Sequence, residues 1–139
     1  MQKEFLTYSK AMILGQIADT SINQIDSYAA EAPIAFGIAV KRGTDKQRQI
    51  LPLDNVEEFL GLAIRDDLCR DTSYPIGRVV SVLTHGRVVV KTSEAAIAGD
   101  KAYVHADGKF NKTADDGLEI GVFTSTQSEA DNLIILEIK

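Results

Sequence analysis

Short runs of alternating apolar residues, each closed by a glycine-bearing turn, recur from Ala35 to the C-terminus and constrain the fold more than any other feature. Every second side chain of an extended strand lies on the same face, so this alternation indicates strands with one buried face. The same region shows almost no 3.6-residue period of the kind expected for amphipathic helices. The pattern predicts an all-β protein of about eight short strands, with at most one or two short helical turns.

The strongest strand predictions are the β-branched segments 78–83 and 86–91, because Val is enriched in strands. The four residues 84–87 between them are predicted to form a hairpin turn. A second hairpin is predicted at Asp107-Gly108, since both central positions of a type I′ turn require a positive φ. Three further strands are predicted at 35–40, 119–124 and 133–138, and the first of these has Phe36, Ile38 and Val40 on one face.

Three segments depart from this pattern of alternating apolar residues and glycine-bearing turns. Asp54 is a suitable N-cap for a single helical turn over residues 56–60, which Gly61 ends. Residues 22–28 alternate poorly, so that both a helix and an edge strand remain open. Residues 1–19 are the least strand-like part and are interpreted as an extended N-terminal arm or an irregular cover.

The chain has 139 residues, of which 45% are hydrophobic, and this suits one domain with its own core. We therefore predict a single β domain over residues 1–139, with residues 20–139 as the core. No apolar run approaches the ~20 residues needed to cross a bilayer, and the N-terminus does not have the pattern of a secretory signal. We expect no membrane partner.

The net charge of −5 argues against a general nucleic-acid binder, which neutralises phosphates with clustered Lys and Arg. The densest positive group comprises Lys41, Arg42, Lys46 and Arg48, and it is interrupted by Asp45. We interpret this group as a solvated loop and not as a phosphate site.

The sequence offers no constellation that would mark a reacting centre. His85, His105 and Cys69 have no ligand spacing typical of a zinc or iron site. The acidic groups also lack the ordered spacing of a calcium loop, and no nucleophile lies on a glycine-flanked elbow. No glycine run forms a phosphate cradle. We predict no catalytic, cofactor-binding or metal-binding residues, and no cofactor.

Several short segments, in their order along nearly the whole chain, are similar to those of a known protein family. The series begins with 15-GQIAD-19, 33-PIAFGIAVKRG-43 and 59-FLGLAIRD-66, and continues with 80-VSVLTHGRVVVK-91, 98-AGDKAYV-104 and 108-GKF-110. This order resembles the capsid cement, or decoration, proteins of tailed bacteriophages.

The resemblance implies a single jelly-roll-like or barrel-like sandwich and a virion structural protein without catalysis. It further implies a homo-oligomer, a dimer or a trimer, made in the cytoplasm of the host bacterium. The oligomer would bind the major capsid protein on the outer surface of the expanded head and cement neighbouring capsomers against the pressure of the genome. It implies no direct contact with nucleic acid.

For the capsid or subunit interface we select the apolar residues near the N-terminus, because they have no obvious place in the strand core. They are Phe5, Leu6, Tyr8, Met12, Ile13 and Leu14. The alternative is that these side chains simply cap the barrel.

Two other functions stay open at the level of the sequence. A small β-barrel binding module of the kind found in translation factors would have segments similar to 86–90 and 98–104. A small β-barrel hydrolase would need a carboxylate pair drawn from Asp66, Asp67 and Asp71.

Overall fold

The computed structural model describes residues 13–18, 23–65 and 73–139. These residues form eleven strands and one short 3-10 helix, Val56–Glu58. In chain order the strands are β1 (Gln24–Ala30), β2 (Ile34–Ala35), β3 (Ala39–Arg42), β4 (Gln49–Pro52), β5 (Phe59–Ala63), β6 (Ser73–Tyr74), β7 (Val79–Thr92), β8 (Lys101–Val104), β9 (Phe110–Asn111), β10 (Leu118–Phe123) and β11 (Asn132–Ile138). The predicted all-β, barrel-like fold is confirmed.

The main sheet forms two closed rings of strands, and both rings include the long strand β7. Strands β1, β4, β3, β5 and β7 form one ring, which the antiparallel pairing of β1 with β7 closes; we call it the first barrel. Strands β7, β11, β10, β8 and β9 form a second ring, which closes where Thr92 pairs with Phe110; we call it the second barrel. The two barrels therefore share one strand of 14 residues.

Each barrel has its own hydrophobic core. The first core contains Val80 and Val82 of β7, and the β2–β6 ribbon adds the side chains of Ile34 and Tyr74 to it. The second core contains Val88 and Val90 of β7. It also includes side chains from strands that belong only to the first barrel, such as Ala39 of β3 and Leu62 of β5, so the two barrels pack against each other.

The hairpin predicted at residues 84–87 is wrong, because β7 continues through them without a reversal. Gly86 has a φ of 130°, and a Cβ built there would lie 2.0 Å from Asn23 Oδ1. The glycine thus admits a close approach of Asn23, and the strand changes partner at this point. Residues before it pair with β1, and Gly86 itself pairs with Ile138 of β11.

Two other local predictions need correction. Residues 35–40 do not form one strand, because Gly37 adopts a φ of 78° in a turn between β2 and β3. Even so, Phe36 and Val40 are buried in the first core and Ile38 packs against it, as the alternation predicted. The cap of the 3-10 helix is Asn55, whose side chain accepts a hydrogen bond from Glu57 N at 3.1 Å, and not Asp54.

The hairpin at Asp107-Gly108 is confirmed, but its turn is not of type I′. Only Gly108 has a positive φ, of 82°. Gly108 N donates to His105 O at 2.9 Å, and His105 N donates to Lys109 O at 3.0 Å. These bonds fit a three-residue loop that ends in a left-handed glycine. For segment 22–28 the strand and not the helix is correct, since β1 begins at Gln24.

Residues 13–18 lie along the second half of β7, on the edge of that strand that does not pair with β11. Gly15 N donates to Val89 O at 2.8 Å, Ala18 N donates to Arg87 O at 2.9 Å, and Ile17 pairs with Val88. Gly15 has a φ of 81°, and a Cβ there would lie 3.0 Å from a backbone nitrogen of Gly37. This close approach fixes the segment between the two barrels. Residues 1–12 and 19 of the proposed arm or cover lie outside the described residues.

Candidate binding surfaces

The described residues hold no group of three or more His, Cys, Asp or Glu side chains that is placed to bind a metal ion. His85 is exposed on β7, and His105 lies half-buried with its Nε2 2.7 Å from Asn111 Oδ1. The two histidines thus lie in different barrels and form no common site. In the same part of the chain, no helix has both the length and the apolar character needed to cross a membrane.

Among the described residues, Asp115, Asp116 and Glu119 do not form part of a metal-binding group. Asp115 and Asp116 are exposed in a turn, and Glu119 lies 3.6 Å from Lys101 in a surface ion pair. Other residues that the sequence singled out lie outside the described residues, and these are Asp66, Asp67, Cys69 and Asp71.

Of the predicted interface residues, the structure describes Ile13 and Leu14. Ile13 is 44% exposed, and its backbone carbonyl accepts a hydrogen bond from Gln16 N at 3.0 Å. Leu14 is half-buried against Gly37, where its side chain fills the space that a Cβ would need. The remaining four lie outside the described residues, and they are Phe5, Leu6, Tyr8 and Met12.

The two described residues line different surface clefts. Leu14 lines a cleft of about 280 Å³ at the seam between the barrels, together with Phe36 and Phe110. Ile13 lines a second cleft of about 280 Å³ with Ile17 and Ile64. Segment 13–18 thus separates two partly apolar depressions.

A third cleft, of about 520 Å³, lies at the end of β3, between its two neighbours in the sheet. We call it the charged cleft. Its positive lining residues are Lys41 and Arg42 of β3 and Lys46 of the turn between β3 and β4. Its acidic lining residues are Glu57 and Glu58 of the 3-10 helix.

Lys41 links the positive and the acidic lining residues of the charged cleft. Its ammonium group donates to Asp54 Oδ1 at 2.7 Å and lies 3.3 Å from Glu58 Oε2. The hydrogen bond to Asp54 raises the pKa of Lys41 above 10.5, and partial desolvation opposes this rise. The Lys41 side chain is only 17% exposed, so its charge is held inside the cleft.

The sequence interpretation of Lys41, Arg42 and Lys46 as part of a solvated loop missed this cleft. Arg42 Nη1 donates to Lys46 O at 2.7 Å, and the Arg42 guanidinium lies 5.7 Å from the centre of the Tyr28 ring. The Arg42 side chain is therefore ordered by the turn and by the sheet. The acidic residues of the cleft follow about ten residues later, and an N-cap such as Asn55 is the only local signal for their position.

Exposed apolar side chains also occur at one end of the first barrel. Ile76 is 68% exposed and Val79 is 64% exposed, next to the start of β7. Isolated exposed apolar residues are common on protein surfaces and need no special explanation.

Comparisons with known proteins point to phage particles. A family model described as structural cement protein (E217 gp24/Pam3 gp6) matches residues 1–139. A chain in the capsid structure of Myoviridae phage XM1 is similar in fold, with a TM-score of 0.68 and 19% identity over 91% of this chain and 89% of that chain. The head fiber gp8.5 N base of bacteriophage phi29 has a TM-score of 0.56 and 14% identity over 85% of this chain and 95% of that chain. At these identities the two likenesses establish the fold alone. No curated protein matches the sequence.

Proposed function

Because the chain belongs to the family of phage structural cement proteins, we propose that it binds the outer surface of the expanded capsid and cements neighbouring capsomers. The family match covers residues 1–139, and it is the observation that carries this proposal. Family membership makes the chain a virion structural protein and not an enzyme, so the hydrolase alternative no longer applies. The translation-factor alternative has no comparable support.

The proposed mechanism is linkage between binding and capsid state. A protein that binds the expanded lattice but not its precursor stabilises the expanded state by mass action. Each copy would bury about 1,200–2,000 Å², the size of a standard interface. We further propose that the protein acts as a homo-oligomer, since contacts with several capsomers gain from a high effective concentration. The protein would be made in the cytoplasm of the host bacterium and then join the virion surface.

The contact surface that we propose comprises the six apolar residues near the N-terminus selected from the sequence. Ile13 supports this choice because it is 44% exposed where the described chain begins. Gly15 and Ala18 support it because their backbone hydrogen bonds attach this region to β7, the strand that both barrels share. A load applied to the preceding residues would therefore pass directly to both barrels.

The test is binding to purified heads that lack the protein, in expanded and unexpanded forms. The full chain should bind expanded heads stoichiometrically and unexpanded heads at least about tenfold more weakly, which corresponds to about 1.4 kcal/mol of differential affinity. Equal binding to both forms, or none to either, would contradict the proposed function.

The surface is tested with a chain that lacks residues 2–12 but keeps the hydrogen-bonded segment 13–18. We expect it to bind expanded heads at least about tenfold more weakly, with an unchanged melting temperature. A substitution test uses the double variant Phe5→Ser/Tyr8→Ser. Its matched control is the double variant Thr7→Ala/Ser9→Ala, which changes neighbouring polar residues. Full binding by the shortened chain would reject the N-terminal surface and leave the cement function intact.

A further inference from the structure

We propose that two copies of this chain pair through one edge of β1, in antiparallel orientation about a twofold axis at Ile25. This inference rests on the proposed function in one respect, because it specifies how the proposed homo-oligomer forms. The observation behind it is a row of backbone groups on β1 that has no partner in the described part of the chain.

β1 lies between β7 and β4 in the sheet, but these two neighbours cover it unequally. β7 pairs with residues 24–29 of β1, whereas β4 pairs only with Ala29 and Ala30. Among the described residues, the β4 side of residues 24–28 therefore has no neighbouring strand. We call this stretch the open edge of β1.

Ile25 and Ser27 present their backbone hydrogen-bonding groups at the open edge. Ala29 N donates at 2.7 Å to the carbonyl of Arg48, directly before β4, so the backbone groups of Ala29 face this side. Because these groups alternate between the two edges along a strand, those of Ile25 and Ser27 face the same side. The described residues offer them no hydrogen-bond partner there. Unpaired groups along a strand edge are a template for pairing with another chain.

The side chains along the open edge are accessible as well. Residues 24–27 form the longest run of consecutive exposed residues in any described strand. Ile25 is the one apolar residue of this run, and it is 41% exposed. A second strand can therefore reach both the backbone and the side chains at this edge.

Symmetry limits the register of a twofold pairing, because the same residue of both copies must lie at the axis. An axis at Ser27 would place Ile25 opposite Ala29 of the second copy, whose edge β4 already occupies. An axis at Asp26 would place the two Asp26 carboxylates opposite each other, and like charges in this position are destabilising. An axis at Ile25 avoids both conflicts.

The register with its axis at Ile25 is complementary to itself. The two copies of Ile25 exchange two backbone hydrogen bonds and bring their apolar side chains together. Gln24 of each copy lies opposite Asp26 of the other, so its amide donates to the carboxylate, and symmetry makes this contact twice. An acidic partner at this edge would instead be repelled by Asp26. Pairing covers the same edge of both copies, so the assembly stops at two.

The contact is short and belongs at the low end of interface sizes. We therefore expect a weak dimer in solution, formed at roughly 0.1–1 mM chain. On the capsid, where each copy is also held by the head, the high effective concentration would favour the same pairing.

The first experiment is sedimentation equilibrium of the full chain with variants of the exposed residue Gln24. Gln24→Glu places like charges opposite each other twice, so we expect the dimer to weaken about three- to tenfold. Gln24→Lys faces Asp26 twice and should strengthen the dimer by a similar factor. The double variant Gln24→Glu/Asp26→Lys restores complementarity and should associate at least as well as the natural chain. The matched controls Ser128→Glu and Ser128→Lys change the charge in an exposed turn of the second barrel and should leave association unchanged.

A disulfide test reads the register directly. In a Cys69→Ser background, Ile25→Cys places two thiols at the axis with their Cα atoms about 5.5 Å apart, which a disulfide can bridge. Ser27→Cys is the matched control, because its two copies would lie about 13 Å apart in this register. Under mild oxidation we expect Ile25→Cys to form covalent dimers at least about tenfold faster than Ser27→Cys.

The inference would be overturned by a natural chain that stays monomeric, by Gln24 variants that all associate alike, or by Ser27→Cys dimers that form as fast as those of Ile25→Cys. Gln24 variants with altered binding to heads but unchanged self-association would also overturn it, because the capsid would then occupy the open edge. Loss of the dimer with intact binding to expanded heads leaves the cement function standing. An intact dimer that binds no heads rejects the cement function alone.

Discussion

The two barrels share β7 but are closed and filled in different ways. In the first barrel, β1 pairs with β4 in parallel through two residue pairs, and bulges interrupt both β1 with β7 and β3 with β5. In the second barrel, β10 with β8 also contains a bulge and β7 pairs with β9 in parallel through one residue pair, but β7 and β11 pair without interruption through seven consecutive residue pairs. Regular antiparallel pairing therefore dominates one half of the shared strand, and local irregularities shape the other.

The hydrophobic cores of the two barrels also differ in the side chains that fill them. The first core contains an edge-to-face aromatic pair, Phe36 and Tyr74, with ring centres 5.1 Å apart. Tyr74 also donates a buried hydrogen bond to Ile64 O at 2.5 Å. The second core is mainly aliphatic, with Phe110 and Phe123 as its aromatic members. The first core thus adds an aromatic pair and a buried hydroxyl hydrogen bond to its apolar packing.

The largest expected effect comes from glycines at which another strand's backbone approaches closely. A Cβ at Gly121 of the second barrel would lie 1.8 Å from Glu137 O, and one at Gly61 of the first barrel would lie 2.4 Å from Leu83 O. We expect Gly121→Ala to lower the free energy of unfolding by about 5 kcal/mol or more, because the clashing atom is a backbone oxygen, and Gly61→Ala by somewhat less. Urea denaturation measures both. Gly99→Ala, where no atom lies within 4 Å but φ is 99°, is the control and should cost about 1 kcal/mol.

The second prediction asks whether the two barrels unfold together. Phe123 is fully buried in the second core and Phe36 is 2% exposed in the first. Replacing either by Ala should lower the free energy of unfolding by about 3–5 kcal/mol. Because β7 belongs to both barrels, we expect one cooperative transition for each variant. Hydrogen exchange would refute this shared stability if Phe36→Ala exposed the amides of β1 and β3 while those of β10 kept full protection.

The third prediction sharpens the contrast between directional contacts and apolar packing. Tyr74→Phe keeps the aromatic pair but leaves the buried carbonyl of Ile64 without its hydroxyl donor. We expect a loss of about 1–3 kcal/mol in the free energy of unfolding. Tyr103→Phe is the matched change in the second barrel, because the Tyr103 hydroxyl has no partner among the described residues. Equal costs for the two variants would show that the hydrogen bond adds nothing to the first barrel.

The smallest expected effect concerns the ion pairs of Lys41. Its pKa in the folded protein is raised above 10.5, first by the hydrogen bond to Asp54. A raised pKa means that the stabilisation is complete below the unfolded pKa and is lost as the pH rises through the folded value. We expect the difference in melting temperature between the natural chain and Lys41→Met to be small at pH 7 and to disappear above the raised pKa. Asp54→Asn should reproduce this pH dependence, and a difference that grows with pH would contradict it.

Part of the fold follows from sequence patterns alone. The alternation of Phe36, Ile38 and Val40 correctly predicted side chains that enter the first core or pack against it. The Asp107-Gly108 hairpin was also located correctly, because a turn of this kind depends on residues a few positions apart. Signals of this range are contained in the local sequence.

The candidate surfaces were harder to predict from the sequence than the strands and turns. Ile13 and Leu14 were selected because they had no obvious place in the strand core. Their position beside β7 is set by the next residues, Gly15 and Ile17, which pair with Val89 and Val88 more than 70 positions away. Lys46 was noted in the sequence only as part of a positive group, and Glu57 was not singled out. They line the same cleft because β4 and β5 are both neighbours of β3 in the sheet.

The sequence by itself determined that this chain is a β protein with turns at several of its glycines, because strand periodicity and positive φ are local properties. It could not determine whether Gly86 reverses the chain or bends it, since both conformations suit glycine. The tertiary structure decided that point, because only the partners of β7, β1 before the glycine and β11 after it, favour one continuous strand. Strand pairing depends on residues far apart in the chain, and no local pattern specifies them.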